Sequence, residues 1–306
     1  MNLKNLLTAF IIFVFAFNSF SQEKLIEESD LALTKKIERF YTLNLQSEVT
    51  SRYEIEDGVM DSTSDLTSQL ILDRNNNRFT EINYYPSFTK TEATFDGDKK
   101  ITDITMFYEN GIQMSKVTTE FNPDGKIKEK KYYFGDSYTF RIQYNYIDNN
   151  NIDKLIYYDP EGTIINYSYF TYDNNGNILS ELKYNQNDSL EMKYYYEYDK
   201  KGNCKREINS ISNVATELVK EFKYDKENNL TEIGGNIVGS NNIQPLTKYK
   251  YDAAGNVVEE TNFGNDGKIT TVNHCEYDSK GRKIECKYKD FIENIEYIYK
   301  TIYQSN

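Results

Sequence analysis

Six residues, YDNNGN at Tyr172–Asn177, return as YDAAGN at Tyr251–Asn256, with weaker copies between and before them. Taking the aromatic that opens each copy as an anchor gives Phe95, Phe121, Tyr146, Tyr172, Tyr198, Tyr224, Tyr251 and Tyr277. The spacings are 26, 25, 26, 26, 26, 27 and 26 residues. Seven near-equal steps indicate a repeat architecture, in which each unit buries its apolar face on its neighbours. The unit divides further. A second turn begins 12 residues after several anchors, as YDPEGTI at Tyr158, YNQNDSL at Tyr184 and FGNDGKI at Phe263. Each repeat therefore reads as two hairpin steps.

The turn residues explain the motif. In Tyr172-Asp173-x-x-Gly176-Asn177 the Asp side chain bonds amides ahead of it and opens a type I turn. Gly176 then takes the left-handed position that closes a short hairpin loop. Tyr198, Asp199 and Gly202 have the same roles, as do Tyr251, Asp252 and Gly255, and Tyr277, Asp278 and Gly281. Across each loop an aromatic meets a mostly aliphatic partner: Tyr172 faces Ile178, Tyr146 faces Ile152, Tyr158 faces Ile164, Tyr198 faces Cys204, Tyr251 faces Val257 and Phe263 faces Ile269. The strands entering the turns (FTYD, YEYD, FKYD, YKYD) alternate aromatic and polar residues, which gives one apolar and one wet face.

The composition agrees with this. The chain has 28 Tyr and 17 Phe among 306 residues, no Trp and one His. Aromatic and β-branched residues favour strands, and Asn, Asp and Gly favour turns. The fold class expected is all-β: a repeat array of consecutive antiparallel β-hairpins in a twisted or curled meander, with a short N-terminal cap.

Three segments follow. Lys4, the apolar run Leu6–Phe17 and the small residues Ser19 and Ser21 predict a secretory signal peptide over residues 1–21. The apolar run is shorter than the roughly 20 residues a membrane-spanning helix needs. Residues 22–90 fit the repeat poorly and read as a cap over the first edge strand, with a short helix in KLIEESDLALTKKIERFY and a hairpin around DRNNNR. Residues 91–306 form the repeat domain, with ENIEYIYKTIYQ as the last strand. The protein is expected to be exported, to the periplasm, the cell surface or the medium.

Removing the signal peptide takes Lys4 and no acid, so the net charge moves from −12 to −13. Such a surface repels nucleic acid and anionic lipid, so neither nucleic-acid binding nor membrane insertion after cleavage is expected.

Little here carries chemistry. Of the three cysteines, Cys204, Cys275 and Cys286, an odd count leaves at least one thiol outside a disulfide. Simple hairpin arithmetic sets His274 opposite Cys286 and Cys275 opposite Glu285. The two cysteines then point to opposite faces and form no bond. His274 and Cys275, neighbours on a strand, diverge and make no nucleophile–base pair. One His and no cysteine cluster do not make a zinc site. The Asn- and Asp-rich turns DNNNID (Asp148–Asp153) and NQND (Asn185–Asp188) lack the spacing of a calcium loop. No metal or cofactor is expected.

The pattern breaks in one place. Around the hairpin 155–169, the wet face is expected to carry Leu155, Tyr157, Ile165, Tyr167 and Tyr169, joined by Leu179, while the inner face holds Asn166 and Ser168. This reads as a face covered by another part of the chain, as a register shifted by a bulge, or as a patch for a glycan or another surface protein.

The order Tyr-Asp-x-x-Gly-Asn at this spacing resembles the YD-repeat (Rhs) family, from about Phe95 to Tyr288. The motif is strong at Tyr172, Tyr198, Tyr251 and Tyr277 and weaker at Phe95, Phe121, Tyr146 and Tyr224. The resemblance implies a meander that coils into a β-spiral or shell, which in some members encloses a toxin. This chain is much shorter than the large members and shows no toxin-like C-terminal segment. The function expected is a non-catalytic extracytoplasmic binding or structural scaffold. The alternatives are an accessory or remnant of a polymorphic toxin system, and a polysaccharide-active enzyme.

Overall fold

The computed structural model describes residues 32–305, except 57–58, 61–62, 85–87, 149–150, 213–216 and 237–241. The expected signal peptide lies outside the described residues. One helix, α1 (residues 32–42), precedes the strands. The strands are β1 (Leu45–Glu56), β2 (Val59–Met60), β3 (Asp65–Asp73), β4 (Arg78–Asn83), β5 (Thr89–Phe95), β6 (Ile101–Phe107) and β7 (Gln113–Phe121). There follow β8 (Ile127–Phe134), β9 (Ser137–Tyr146), β10 (Ile152–Tyr158), β11 (Ile164–Tyr172), β12 (Ile178–Asn185), β13 (Leu190–Tyr198) and β14 (Cys204–Ile211). The last are β15 (Leu218–Tyr224), β16 (Leu230–Asn236), β17 (Ile243–Tyr251), β18 (Val257–Phe263), β19 (Ile269–Tyr277), β20 (Lys283–Asp290) and β21 (Ile295–Ser305).

From β3 onward each strand pairs antiparallel with the next, as a meander of hairpins. The first strand corrects the expectation of a capped edge. Strand β1 pairs with β3 on one side and with the C-terminal β21 on the other, so the sheet closes into a 20-strand barrel, and β2 pairs only with β1. Closure removes the edge that a cap would have covered. The expected hairpin around DRNNNR is present as β3–β4, with Asp73 opposite Arg78.

Each aromatic–aliphatic pair read from the sequence is found, including Tyr172 with Ile178, Tyr198 with Cys204 and Tyr251 with Val257. The turns follow the expected chemistry. Asp173 Oδ1 accepts from the amides of Asn175 and Asn177 at 2.8 and 2.9 Å, and Gly176 has φ 83°. At the degenerate turn after Tyr224, Asn228 takes the left-handed position in place of Gly, with φ 77°.

A one-residue bulge follows most of the turns. Thr171 pairs with Ser180, so Leu179 is skipped. Tyr157 pairs with Asn166, so Ile165 is skipped. Beyond each bulge, the side-chain faces are exchanged relative to a simple hairpin count.

Curvature separates the two faces. Side chains crowd together on the concave side of a closed sheet and splay apart on the convex side. The buried set Leu70, Phe79, Tyr132, Tyr144, Leu155, Tyr157 and Ser168 shares one face, which is therefore the inner one. Helix α1 packs on this face through Leu33, Ile37 and Phe40, against Leu70, Leu72, Phe79, Ala93 and Phe95. The Phe40 ring meets Phe79 edge-on at 5.2 Å. A second cluster joins Tyr132, Ile142, Tyr144, Leu155 and Tyr157.

The barrel has two unlike ends. The near rim carries nine turns, the eight that follow the anchors and the β3–β4 turn, with the start of β1 and the end of β21. The far rim carries the other connections, from β1–β3 to β20–β21.

Candidate functional site

The outer wall is a charge ladder. Lys116 meets Asp103 at 3.2 Å, Arg141 meets Glu129 at 2.6 Å, and Glu232 bridges Lys223 and Lys248 at 2.6 and 3.5 Å. Glu259 meets Lys250 at 2.8 Å and the His274 Nε2 at 3.1 Å. The Lys250 ammonium holds the Glu259 carboxyl below its ordinary range. His274 thus belongs to the outer ladder, opposite Lys287, and not beside Cys286 as the simple count had it.

The ladder is interrupted from β10 into β13 and resumes where Glu197 of β13 meets Lys205 at 3.2 Å. In the gap the outer positions hold Ile156, Tyr167, Tyr169, Leu182, Tyr184 and Tyr195, with Lys154 and Lys193 beside them. Among the described residues no ion pair forms on the outer wall between Lys154 and Tyr195. Instead the tyrosines pack on one another. Tyr167 stacks on Tyr184 with ring centroids 5.5 Å apart, and Tyr169 meets both rings edge-on at 5.6 and 6.2 Å. The Lys154 ammonium lies 4.0 Å from the Tyr167 centroid and bonds the Tyr169 hydroxyl at 3.1 Å. The Tyr167 hydroxyl donates to Asp188, a bond that pushes its pKa up to about 12.

The six residues read from the sequence as one patch therefore fall on two faces. Tyr167 and Tyr169 are on the outer wall, with the bulge residues Ile165 and Leu179, each about 40% exposed. Leu155 and Tyr157 are buried inside, at 3% and 6%, because the bulge at Asp153, skipped between the Ile152–Tyr146 and Lys154–Asn145 pairs, turns them inward. Tyr184 and Tyr195 were missed. Tyr184 stands one strand and Tyr195 two strands from the hairpin, and only the true register aligns them with Tyr167 and Ser180.

A second feature lies inside, at the near rim. A cavity of about 560 Å³ is lined by Arg39 of α1, Glu48 and Thr50 of β1, Glu260 of β18, Asn273 of β19 and Tyr299 of β21, among others. Arg39 pairs with Glu48. Burial nevertheless holds the Glu48 carboxyl above its ordinary range, against the pull of Arg39.

Cys275 and Cys286 also line this cavity, and they form a disulfide across β19–β20, with Cα atoms 4.1 Å apart. The expectation of two unbonded thiols is overturned. The bulge at Tyr277 pairs Glu276 with Glu285, which brings Cys275 directly opposite Cys286. Cys204 stays outside this bond, and its thiol donates to the Arg206 carbonyl at 3.5 Å. The repeat anchors are structural in the same sense. Each Asp is occupied by turn amides and each Tyr by a neighbouring carbonyl, so neither presents chemistry to solvent.

No family model matches the chain, and no curated protein matches it. Among solved structures, a crystal structure of TcdB2-TccC3-Cdc42 is similar over 80% of this chain and 16% of its own, at 11% identity and a TM-score of 0.33. A porin-like protein from Bacteroides uniformis ATCC 8492 is similar over 85% of this chain and 98% of its own, at 9% identity and 0.40. A DUF1329 family protein from Desulfovibrio piger ATCC 29098 is similar over 90% of each chain, at 9% identity and 0.22. The chain spans about a sixth of the first of these. Likenesses this weak carry no functional argument, and the barrel rests on this chain's own strand pairing. Among the described residues no helix is long and apolar enough to cross a membrane.

Proposed function

We propose that the protein is a non-catalytic barrel scaffold working outside the cytoplasm, and that it holds another surface protein through the tyrosine wall of β10–β13. The observation that carries this is the interruption of the outer charge ladder by Tyr167, Tyr169 and Tyr184. Preordered aromatic side chains lose little entropy on binding and recur at protein contact sites. The Tyr167 ring is covered by Tyr184 on one side and approached by Lys154 on the other, so it offers edges and not an open platform for a sugar. The charged remainder of the outer wall supports a water-facing barrel. A lipid-facing barrel needs an apolar band about 25 Å tall.

Binding of the purified protein to the envelope fraction of the exporting cell tests this. Tyr167→Ala with Tyr169→Ala is expected to lower binding at unchanged folding, and protease treatment of the fraction to abolish it. Binding that survives protease but is lost after periodate oxidation would identify a glycan instead.

One observation favours a second reading. Glu48 and Glu260 line a single cavity, and the Glu48 carboxyl is raised toward an acid's range. Glycoside hydrolysis uses a pair of carboxyl groups, one of them acting as the acid. Turnover of envelope polysaccharide that both Glu48→Gln and Glu260→Gln abolish would put this reading first.

A further inference from the structure

The two rims differ in a way that the wall does not explain. Among the described residues 21 large apolar side chains are exposed. Fifteen lie within two residues of a far-rim connection, and three lie as close to a near-rim turn. Ile112, Phe134 and Ile292 are 61%, 59% and 71% exposed, on three separate far-rim loops. The repeat predicts the polar near rim, because Asp, Asn and Gly build its turns. It gives no reason for an apolar far rim.

Charge separates the rims as well. Among the described residues the nine near-rim turns hold ten Asp or Glu and nine Lys or Arg, whereas the ten far-rim connections hold eight Asp or Glu and one Lys, Lys268. The far rim is thus a ring of exposed apolar side chains set in nearly unopposed negative charge. An exposed apolar surface on this scale marks a contact site. The charge decides among occupants. Like charge opposes rim-to-rim pairing of two copies, and it opposes an anionic lipid surface.

We infer that the far rim is a docking end for a protein segment that combines apolar and basic side chains. This does not rest on the tyrosine wall, which belongs to the flank of the barrel. Apolar contacts supply the hold, and the acidic ring supplies orientation and selects against acidic partners.

An amphipathic peptide of leucine and lysine is the probe, with its leucine–glutamate counterpart as control, and binding is followed by calorimetry on the whole protein. The Leu/Lys peptide is expected to bind and the Leu/Glu peptide to fail. Ile112→Ser with Phe134→Ser and Ile292→Ser leaves every charge in place and is expected to weaken binding by about tenfold or more. Each single change is made as well, so that a folding defect in the triple variant does not decide the result. Ile147→Ser on the near rim is expected to change it by less than about twofold. Equal binding by the triple variant would reduce the effect to general attraction between charges and overturn the inference. So would binding of the Leu/Glu peptide, self-association that the triple variant abolishes, or triple-variant-sensitive cosedimentation with phosphatidylglycerol vesicles.

Discussion

The Tyr172 hydroxyl donates a 2.8 Å hydrogen bond to the backbone carbonyl of Ile152, twenty residues earlier in the chain. Ile152 is the residue that pairs with the preceding anchor, Tyr146. The same bond joins Tyr198 to Ile178, Tyr224 to Cys204, Tyr251 to Leu230, Tyr277 to Val257 and Tyr303 to Lys283. Each of the anchors from Tyr172 to Tyr277 therefore closes its own hairpin with its ring and latches the previous repeat with its hydroxyl, whereas Phe95 and Phe121 have the ring without the latch. This explains why the motif keeps Tyr where Phe would fill the same space.

Tyr172→Phe keeps the ring and removes the latch. It should cost about 1 kcal/mol of unfolding free energy, the usual net value of one such bond. Tyr172→Phe with Tyr224→Phe, two repeats apart, should cost about the sum. Urea unfolding measures both, and a double variant as stable as the wild type would show that the latches contribute nothing.

The latches also set an alkaline limit. Burial pushes the phenols of Tyr172, Tyr198 and Tyr303 up to about 12, above the unfolded value near 10. A raised folded pKa gives stability that is complete below the unfolded pKa and is lost as pH rises toward the folded one. The urea midpoint should hold steady up to about pH 10 and fall between about 10 and 12. Tyr172→Phe with Tyr198→Phe should flatten that fall.

The turns set an acid limit of the opposite sign. The Asn177 side-chain amide and backbone amides hold Asp173 below the ordinary carboxylate range, and Asp199 and Asp252 are held down by Asn203 and Asn256. A depressed folded pKa gives stability that is present above the unfolded value and is lost as pH falls through the folded one. Stability should decline below about pH 4. Asn177→Ala should move the Asp173 titration, followed by carboxyl carbon NMR, back toward its ordinary value.

The hairpins, turns, cross-strand pairs and strand spacing were legible in the sequence because each is local and repeats with Tyr, Asp and Gly at fixed offsets. Barrel closure was not. The pairing of β1 with β21 joins residues about 250 positions apart, such as Thr50 with Thr301, and neither strand carries the turn motif that marks the others. The positions of the bulges were not legible either, for a different reason. A skipped residue such as Leu179 or Ile284 leaves no compositional mark, yet it exchanges the faces of everything beyond it. That one-residue step split the expected patch and hid Tyr184 and Tyr195 from it.

The same step produces the disulfide, which gives a direct check of register. Thiol counting on the unreduced, denatured protein should find one thiol, that of Cys204; three would refute the pairing of Cys275 with Cys286. Cys275→Ser with Cys286→Ser removes a cross-link between residues 11 apart and should cost about 2–3 kcal/mol.

Tyr157 and Tyr169 belong to one hairpin and should respond oppositely to truncation. Tyr157 is 6% exposed within the inner cluster, so Tyr157→Ala should cost about 3–5 kcal/mol, as for other large buried side chains. Its hydroxyl is buried with no hydrogen-bond partner among the described residues, as is Ser168 Oγ on the neighbouring strand. Tyr157→Phe should therefore be neutral or stabilising, because it removes an unsatisfied polar group and keeps the ring. Tyr169 is 41% exposed on the outer wall, and Tyr169→Ala should change stability by less than about 1 kcal/mol. Thermal or urea unfolding of the three variants decides the register of β10 against β11. If Tyr169→Ala unfolds the protein and Tyr157→Ala does not, the faces are assigned the wrong way round, and the tyrosine wall is core.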